Sequence, residues 1–254
     1  MKNALLILLN LGFTFGNGCV QAQCRPATAA ENQAYERVVK ELQRQFAAKL
    51  PSNDWRVFDE KHSVGSLEVT DEYVTPLHLC TDRYDLVVEK NDVATARQTK
   101  LDALKPDTTQ QTSFVIPRDS IYQESTSGAA TSSKQTYSIS VEMNLANYRL
   151  QEAESARLVE SSKNIVLSGA PVALEVLLKP DLKGVVGRQE TVILLGSWGK
   201  PQTEKNGDIR YRHNFKKGGK LVESLVVTIT APFELARQIT QTTDWKALVA
   251  TLLQ

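Results

Sequence analysis

Residues 191–230 read TVILLGSWGK PQTEKNGDIR YRHNFKKGGK LVESLVVTIT, and the fold turns on this stretch. Three runs rich in β-branched and aromatic residues, 191–198, 209–215 and 221–230, are parted by turns that hold Asn206-Gly207 and Gly218-Gly219. Such dipeptides accept the positive φ that tight hairpins require. A fourth run, 172–178, precedes them. The spacing predicts a meander of antiparallel strands. Within 209–215, Ile209, Tyr211, His213 and Phe215 alternate with Arg210 and Arg212, so one side faces a core and the other faces water. His213 is thereby expected as a core histidine.

Working outward, Pro232 opens a short helix over 233–240 as a first-turn proline. Thr243 or Asp244 then caps a second helix, 245–253, with Trp245, Leu248, Val249 and Leu252 on one side. Upstream, Tyr137, Ile139, Val141 and Met143 alternate with Ser138, Ser140 and Glu142, the pattern of a half-buried strand. Residues 150–161 carry helix-forming composition. Residues 119–135 are Ser/Thr-rich and nearly free of bulky apolar side chains. They cannot bury enough surface to fold alone, and read as a mobile loop within one domain, 23–254, or as a linker between lobes 23–118 and 136–254.

The first half opens with a helix. Thr28-Ala29-Ala30-Glu31 fits a capping box, and Tyr35, Val38, Val39, Leu42, Phe46 and Leu50 follow at helical spacing until Pro51. Strand-like runs at 55–58, 67–69, 84–89 and 114–116 follow, with a helix over 92–104 that has Asp92 as its cap. Asp-Trp recurs at Asp54-Trp55 and Asp244-Trp245, too short a likeness to define a repeat. The chain is therefore expected to be α+β. An antiparallel meander sheet occupies its C-terminal half, and an N-terminal amphipathic helix and two short C-terminal helices pack on it.

Residues 1–22 have the three parts of a cleavable signal peptide. Lys2 supplies charge, residues 4–15 are largely apolar, and Val20-Gln21-Ala22 offers the small residues of a cleavage site. The apolar stretch falls short of the roughly 20 residues that span a bilayer, so no transmembrane helix is expected in the mature chain. The expectation is export to the periplasm or the extracellular space. The alternative is a lipoprotein anchored at Cys19, with Gly18 before it. The mature chain retains Cys24 and Cys80, which in an oxidising compartment most simply form one disulfide. A loop of that length contributes roughly 4 kcal/mol in the chain-entropy model.

The chain is 41% hydrophobic and 23% charged, which is ordinary for a folded protein and excludes disorder as its general state. A formal net charge of +1 excludes polyanion binding driven by bulk charge, though not a local patch. No zinc-binding H-E-x-x-H, nucleophile elbow, phosphate-binding P-loop or dinucleotide fingerprint is present. No cofactor and no metal site are predicted. His62 sits in a carboxylate-rich turn, and His78 lies two residues before Cys80. Arg210, Arg212 and Lys216 share one strand face, and Lys217 and Lys220 crowd the next turn, with Lys205 before the preceding one. This is a candidate site for a phosphate, a sulfated glycan or a lipid headgroup. No aromatic residues interleave with these cations, which argues against nucleic acid. Trp198 between Gly196 and Gly199 marks a bulge or strand exit. The leading expectation is an exported, non-enzymatic binding or envelope-associated protein. The alternatives are a secreted hydrolase with a dispersed active site and an anion or lipid-headgroup binder.

Overall fold

A computed structural model describes residues 25–62, 68–69, 83–103, 135–150, 159–178, 189–205, 209–216 and 222–252. The signal peptide, Cys24, His78, Cys80, Lys217, Lys220, strand 114–116 and residues 119–134 lie outside the described residues.

The frame is a seven-stranded antiparallel sheet. Its strands are β2 (Trp55–His62), β4 (Arg83–Lys90), β5 (Thr136–Met143), β7 (Val159–Asn164), β8 (Val172–Leu178), β9 (Gln189–Gly196) and β12 (Ser224–Ala231). Their order is β2-β4-β5-β12-β9-β8-β7, so β12, the last strand in the chain, lies at the centre. It pairs with β5 on one side and β9 on the other. Strands from either side of residues 119–135 are thus hydrogen-bonded into one sheet. Two minor sheets complete the strands. β1 (Arg25–Pro26) pairs with β3 (Glu68–Val69). β10 (Gln202–Thr203), β11 (Ile209–Arg212) and β6 (Asn147–Leu150) form a three-stranded sheet.

One face of the large sheet carries the main core. Tyr137, Ile139, Val141 and Met143, the apolar set of the alternating strand, are all buried there with Leu225, Val227 and Ile229 of β12. Helix α1 (Ala29–Leu42) covers this face with Tyr35, Val38, Val39 and Leu42. Each such side chain contributes roughly 1.5–3 kcal/mol on burial. The capping box is formed: the Glu31 N–H donates to Thr28 Oγ1, and the Thr28 N–H donates to Glu31 Oε2 at 2.8 Å. After Leu42 the helix widens into one π-turn, Gln43–Ala47, and both Gln45 and Phe46 on it are buried. Helices α3 (Phe233–Thr242) and α4 (Trp245–Ala250) complete the layer. The side chain of Asp244 caps α4, and Trp245 Nε1 donates to the Thr240 carbonyl at 2.8 Å. Helix α2 (Asn91–Ala103) follows β4 and buries Ala94.

The α+β architecture matches the expectation, with two differences inside it. The run 209–215 leaves the meander, because β11 pairs with β6 and β10 instead of with β9 and β12. Residues 150–161 are also extended at both described ends, where Leu150 closes β6 and β7 begins at Val159. At these described ends cross-strand pairing overrides helix propensity, and residues 151–158 lie outside the described residues. The three-stranded sheet lies on the second face of the large one. There Leu150 and Tyr211 pack on Leu174, Val176, Val192, Leu194 and Val226. None of the described helices is long and apolar enough to cross a membrane.

Candidate functional site

The three-stranded sheet presents the cations singled out from the sequence. In its register Arg210 faces Arg149, Tyr211 faces Tyr148 and Arg212 faces Asn147. Tyr211 and Leu150 are in the core, so alternation turns Arg149, Arg210 and Arg212 to the outer face. Two arginines directly opposite repel, and Glu204 offsets this by accepting from Arg210 at 2.6 Å and lying 3.6 Å from Arg149. Arg212 and Lys216 are exposed. Behind this face the Tyr148 hydroxyl is pushed well above the usual phenol range by burial.

Beneath the cations lies a polar corner. The chain passes between the two sheets three times at one end of the large sheet: from β5 to β6, from β9 to β10, and from β11 to β12. Strands that switch sheets need bends, and both described bends have positive φ, Asn144 at 57° and Gly196 at 110°. A Cβ on Gly196 would stand 2.3 Å from the Glu223 carbonyl oxygen and 2.8 Å from His213 Nε2, so only glycine fits. The glycine beside Trp198 thus serves close approach by the protein's own backbone and imidazole.

Side chains stitch the corner together. Asn144 donates to the Tyr35 hydroxyl at 2.9 Å and accepts from the Glu223 N–H at 2.7 Å. The Ser197 N–H lies 2.9 Å from His213 Nε2, on its hydrogen-bonding axis. Burial pushes the His213 pKa down to about 4, partly opposed by the Glu223 carbonyl. Glu223 accepts from the Lys216 N–H at 2.8 Å through one oxygen. Among the described residues, its other oxygen and His213 Nδ1 are buried without a partner.

A second polar group meets the same end of the sheet. Strand β2 bulges between Val57 and Asp59, and this reverses the alternation beyond it. Glu60 and His62 are thereby turned to the helix-covered face beside Tyr84. Gln43 Nε2 donates to Glu60 at 2.8 Å and lies 3.4 Å from His62 Nε2. The His62 and Tyr84 rings are stacked at 6.3 Å. The Tyr84 hydroxyl is buried beside Glu60, and His62 Nδ1 is buried without a hydrogen-bond partner among the described residues. Burial and the neighbouring Glu60 carboxylate raise the Tyr84 pKa far above the phenol range. His62 therefore belongs to a helix–sheet contact, not to an isolated surface turn. Among the described residues no group of three or more His, Cys, Asp or Glu side chains is placed to hold a metal ion.

Sequence reasoning missed Arg149, Asn144, Glu204 and Glu223. Arg149 carried no signal because its segment reads as the approach to a helix, and only strand register brings it beside Arg210. Ser197-Trp198-Gly199-Lys200 also has the S-x-x-K spacing of a serine acyl-enzyme motif. It lies at a strand exit, with Ser197 and Lys200 both exposed. Compared with known proteins, the chain matches no family model, no curated protein and no solved structure.

Proposed function

We propose that this chain is an exported, non-enzymatic binding protein that recognises an anionic partner through the outer face of its three-stranded sheet. The observation that carries this reading is that Arg149, Arg210 and Arg212 lie on one face of two registered strands, with Lys216 close by in sequence and Glu204 bridging Arg149 and Arg210. Guanidinium groups in a row suit phosphate, sulfate or carboxylate groups repeated on a surface. A small rigid sheet holds them at little cost in conformational entropy. Export follows from the signal-peptide pattern of residues 1–22, and places the partner on an envelope surface or beyond it.

Binding to heparin and to vesicles rich in anionic lipid tests the proposal. It should weaken steeply as salt rises, because the Debye length falls from about 10 Å at 0.1 M to about 3 Å at 1 M. Arg212→Ala should lower affinity about fivefold, as expected for a cation worth about 1 kcal/mol near an anionic surface. Glu204→Gln, which frees Arg210, should raise it. Preference for heparin over vesicles would identify a glycan, and the reverse a lipid surface. Salt-insensitive or absent binding to both would overturn the proposal.

A further inference from the structure

A cavity of about 150 Å³ lies between the π-turn, helix α3 and strand β5. Phe46, Tyr137, Ile139 and Ile239 form its apolar walls, each under a tenth exposed. Burial raises the Tyr137 hydroxyl above the usual phenol range. A cavity of this size accommodates a six-membered apolar ring in other proteins. Polar groups of Gln45, Lys49, Gln238, Thr242 and Thr243 also line it.

The charge pattern there is one-sided. Lys49 is the only charged residue among the described residues that line the cavity. Its ammonium donates to the Gln45 amide oxygen at 3.1 Å rather than to a carboxylate. Gln45, 3% exposed, is fixed in turn: its amide donates to Glu41 at 2.7 Å, and its oxygen also accepts from the Asp244 N–H at 3.1 Å. Glu41 lies near enough to feel Lys49, but Arg44 already grips both its oxygens. The Asp244 carboxylate accepts from the Ala247 N–H at the start of α4. Both neighbouring acids are thus engaged, and Lys49 is left as a positioned cation at the edge of a cavity of mixed polar and apolar lining. Apolar walls with a few convergent polar groups are the usual form of a small-molecule site.

We propose that this cavity binds a small monocarboxylate, its compact apolar body between Phe46, Ile139 and Ile239 and its carboxylate on Lys49. The site is separate from the cationic sheet face, so either can fail without the other.

Benzoate and its neutral isostere benzamide are suitable probes, titrated against the protein while the Ile139 and Ile239 methyl resonances are followed. Benzoate should bind with a Kd on the order of 1 mM, as expected for about nine non-hydrogen atoms. Benzamide should bind at least fivefold more weakly. Lys49→Met should weaken benzoate about tenfold, the value of one charge-assisted hydrogen bond, and leave benzamide unchanged. Thr242 is exposed, so Thr242→Trp should keep the fold while blocking the cavity and abolishing both. Equal affinity for the two probes, benzoate binding that survives Lys49→Met or Thr242→Trp, or no response of the two methyl groups would each overturn the proposal.

Discussion

Two glutamates are buried at opposite ends of the large sheet, and they are treated very differently. Glu89, at the end where β4 meets α2, has no exposed surface, and both its oxygens are paired. One accepts from Arg56 at 2.9 and 3.1 Å, and the other accepts from Arg97. Arg97 also stacks over Phe58, 4.1 Å from the ring centre, so the pair is locked by packing as well. Glu223, at the corner, is 2% exposed and accepts one backbone N–H, with its second oxygen unpartnered among the described residues. His62 Nδ1 and His213 Nδ1 at the same end are also buried without a hydrogen-bond partner among the described residues. Burying polar groups unpaired costs about 1–3 kcal/mol each. The sheet thus has a satisfied end that serves stability and a strained end, and the candidate cationic face rises from the strained one.

The largest test strikes the strained corner. Gly196→Ala combines a left-handed backbone with a Cβ 2.3 Å from the Glu223 carbonyl oxygen, so the corner must open. A loss of about 4 kcal/mol is expected in chemical denaturation, among the most severe single substitutions. A loss under about 1 kcal/mol would show that the corner bends freely, and the contrast between the two ends would lapse.

Next comes the satisfied end. Glu89→Gln keeps the shape but removes the charge that two guanidinium groups require. Breaking a buried pair costs about 3–5 kcal/mol. Arg56 is half exposed and can return to water, so about 3 kcal/mol is expected here. Arg56→Ala should cost much less than Arg97→Ala, whose side chain is 18% exposed.

Acid discriminates the ends by a different route. The folded pKa of His213, about 4, lies below its ordinary value near 6.5, so the unfolded chain takes up the proton first as pH falls. The stability tied to the neutral ring is complete above about pH 6.5 and is lost progressively down to about pH 4. Between pH 7 and pH 5 the parent should lose about 2 kcal/mol more than His213→Gln. Parallel pH profiles for the two proteins would mean that the imidazole is not buried as described.

The two ends also differ in how far they can be read from the sequence. Signals that act within a few residues are legible: the Thr28–Glu31 box, the Asp244 cap, and the alternation of Tyr137, Ile139, Val141 and Met143, all buried as patterned. His213 is likewise on the buried side of its strand. Partner choice is not legible, because a period of two looks the same whichever sheet a strand joins. Hence 209–215 reads as a meander strand although it pairs with β6. The bulge at Phe58 is also silent, since unbroken alternation would leave Glu60 and His62 on the face of Arg56. Arg149 and Glu223 join their sites through register and a corner, each formed by segments distant in sequence.

The smallest effect is the most discriminating. Glu223→Gln retains an oxygen for the Lys216 N–H and replaces the unpartnered oxygen with an amide nitrogen. The new donor costs about 1–2 kcal/mol if it finds no acceptor. Removing an incompletely paired buried carboxylate offsets this, because desolvating a charge costs several kcal/mol. Stability should therefore stay within about 1 kcal/mol of the parent, against about 3 for the same change at Glu89. If both variants lose the same amount in urea titration at neutral pH, Glu223 is as fully compensated as Glu89, and the corner holds no strain to explain. If Glu223→Gln is neutral, the carboxylate adds nothing to stability that an amide would not supply. The corner is then where a function beyond stability should be sought.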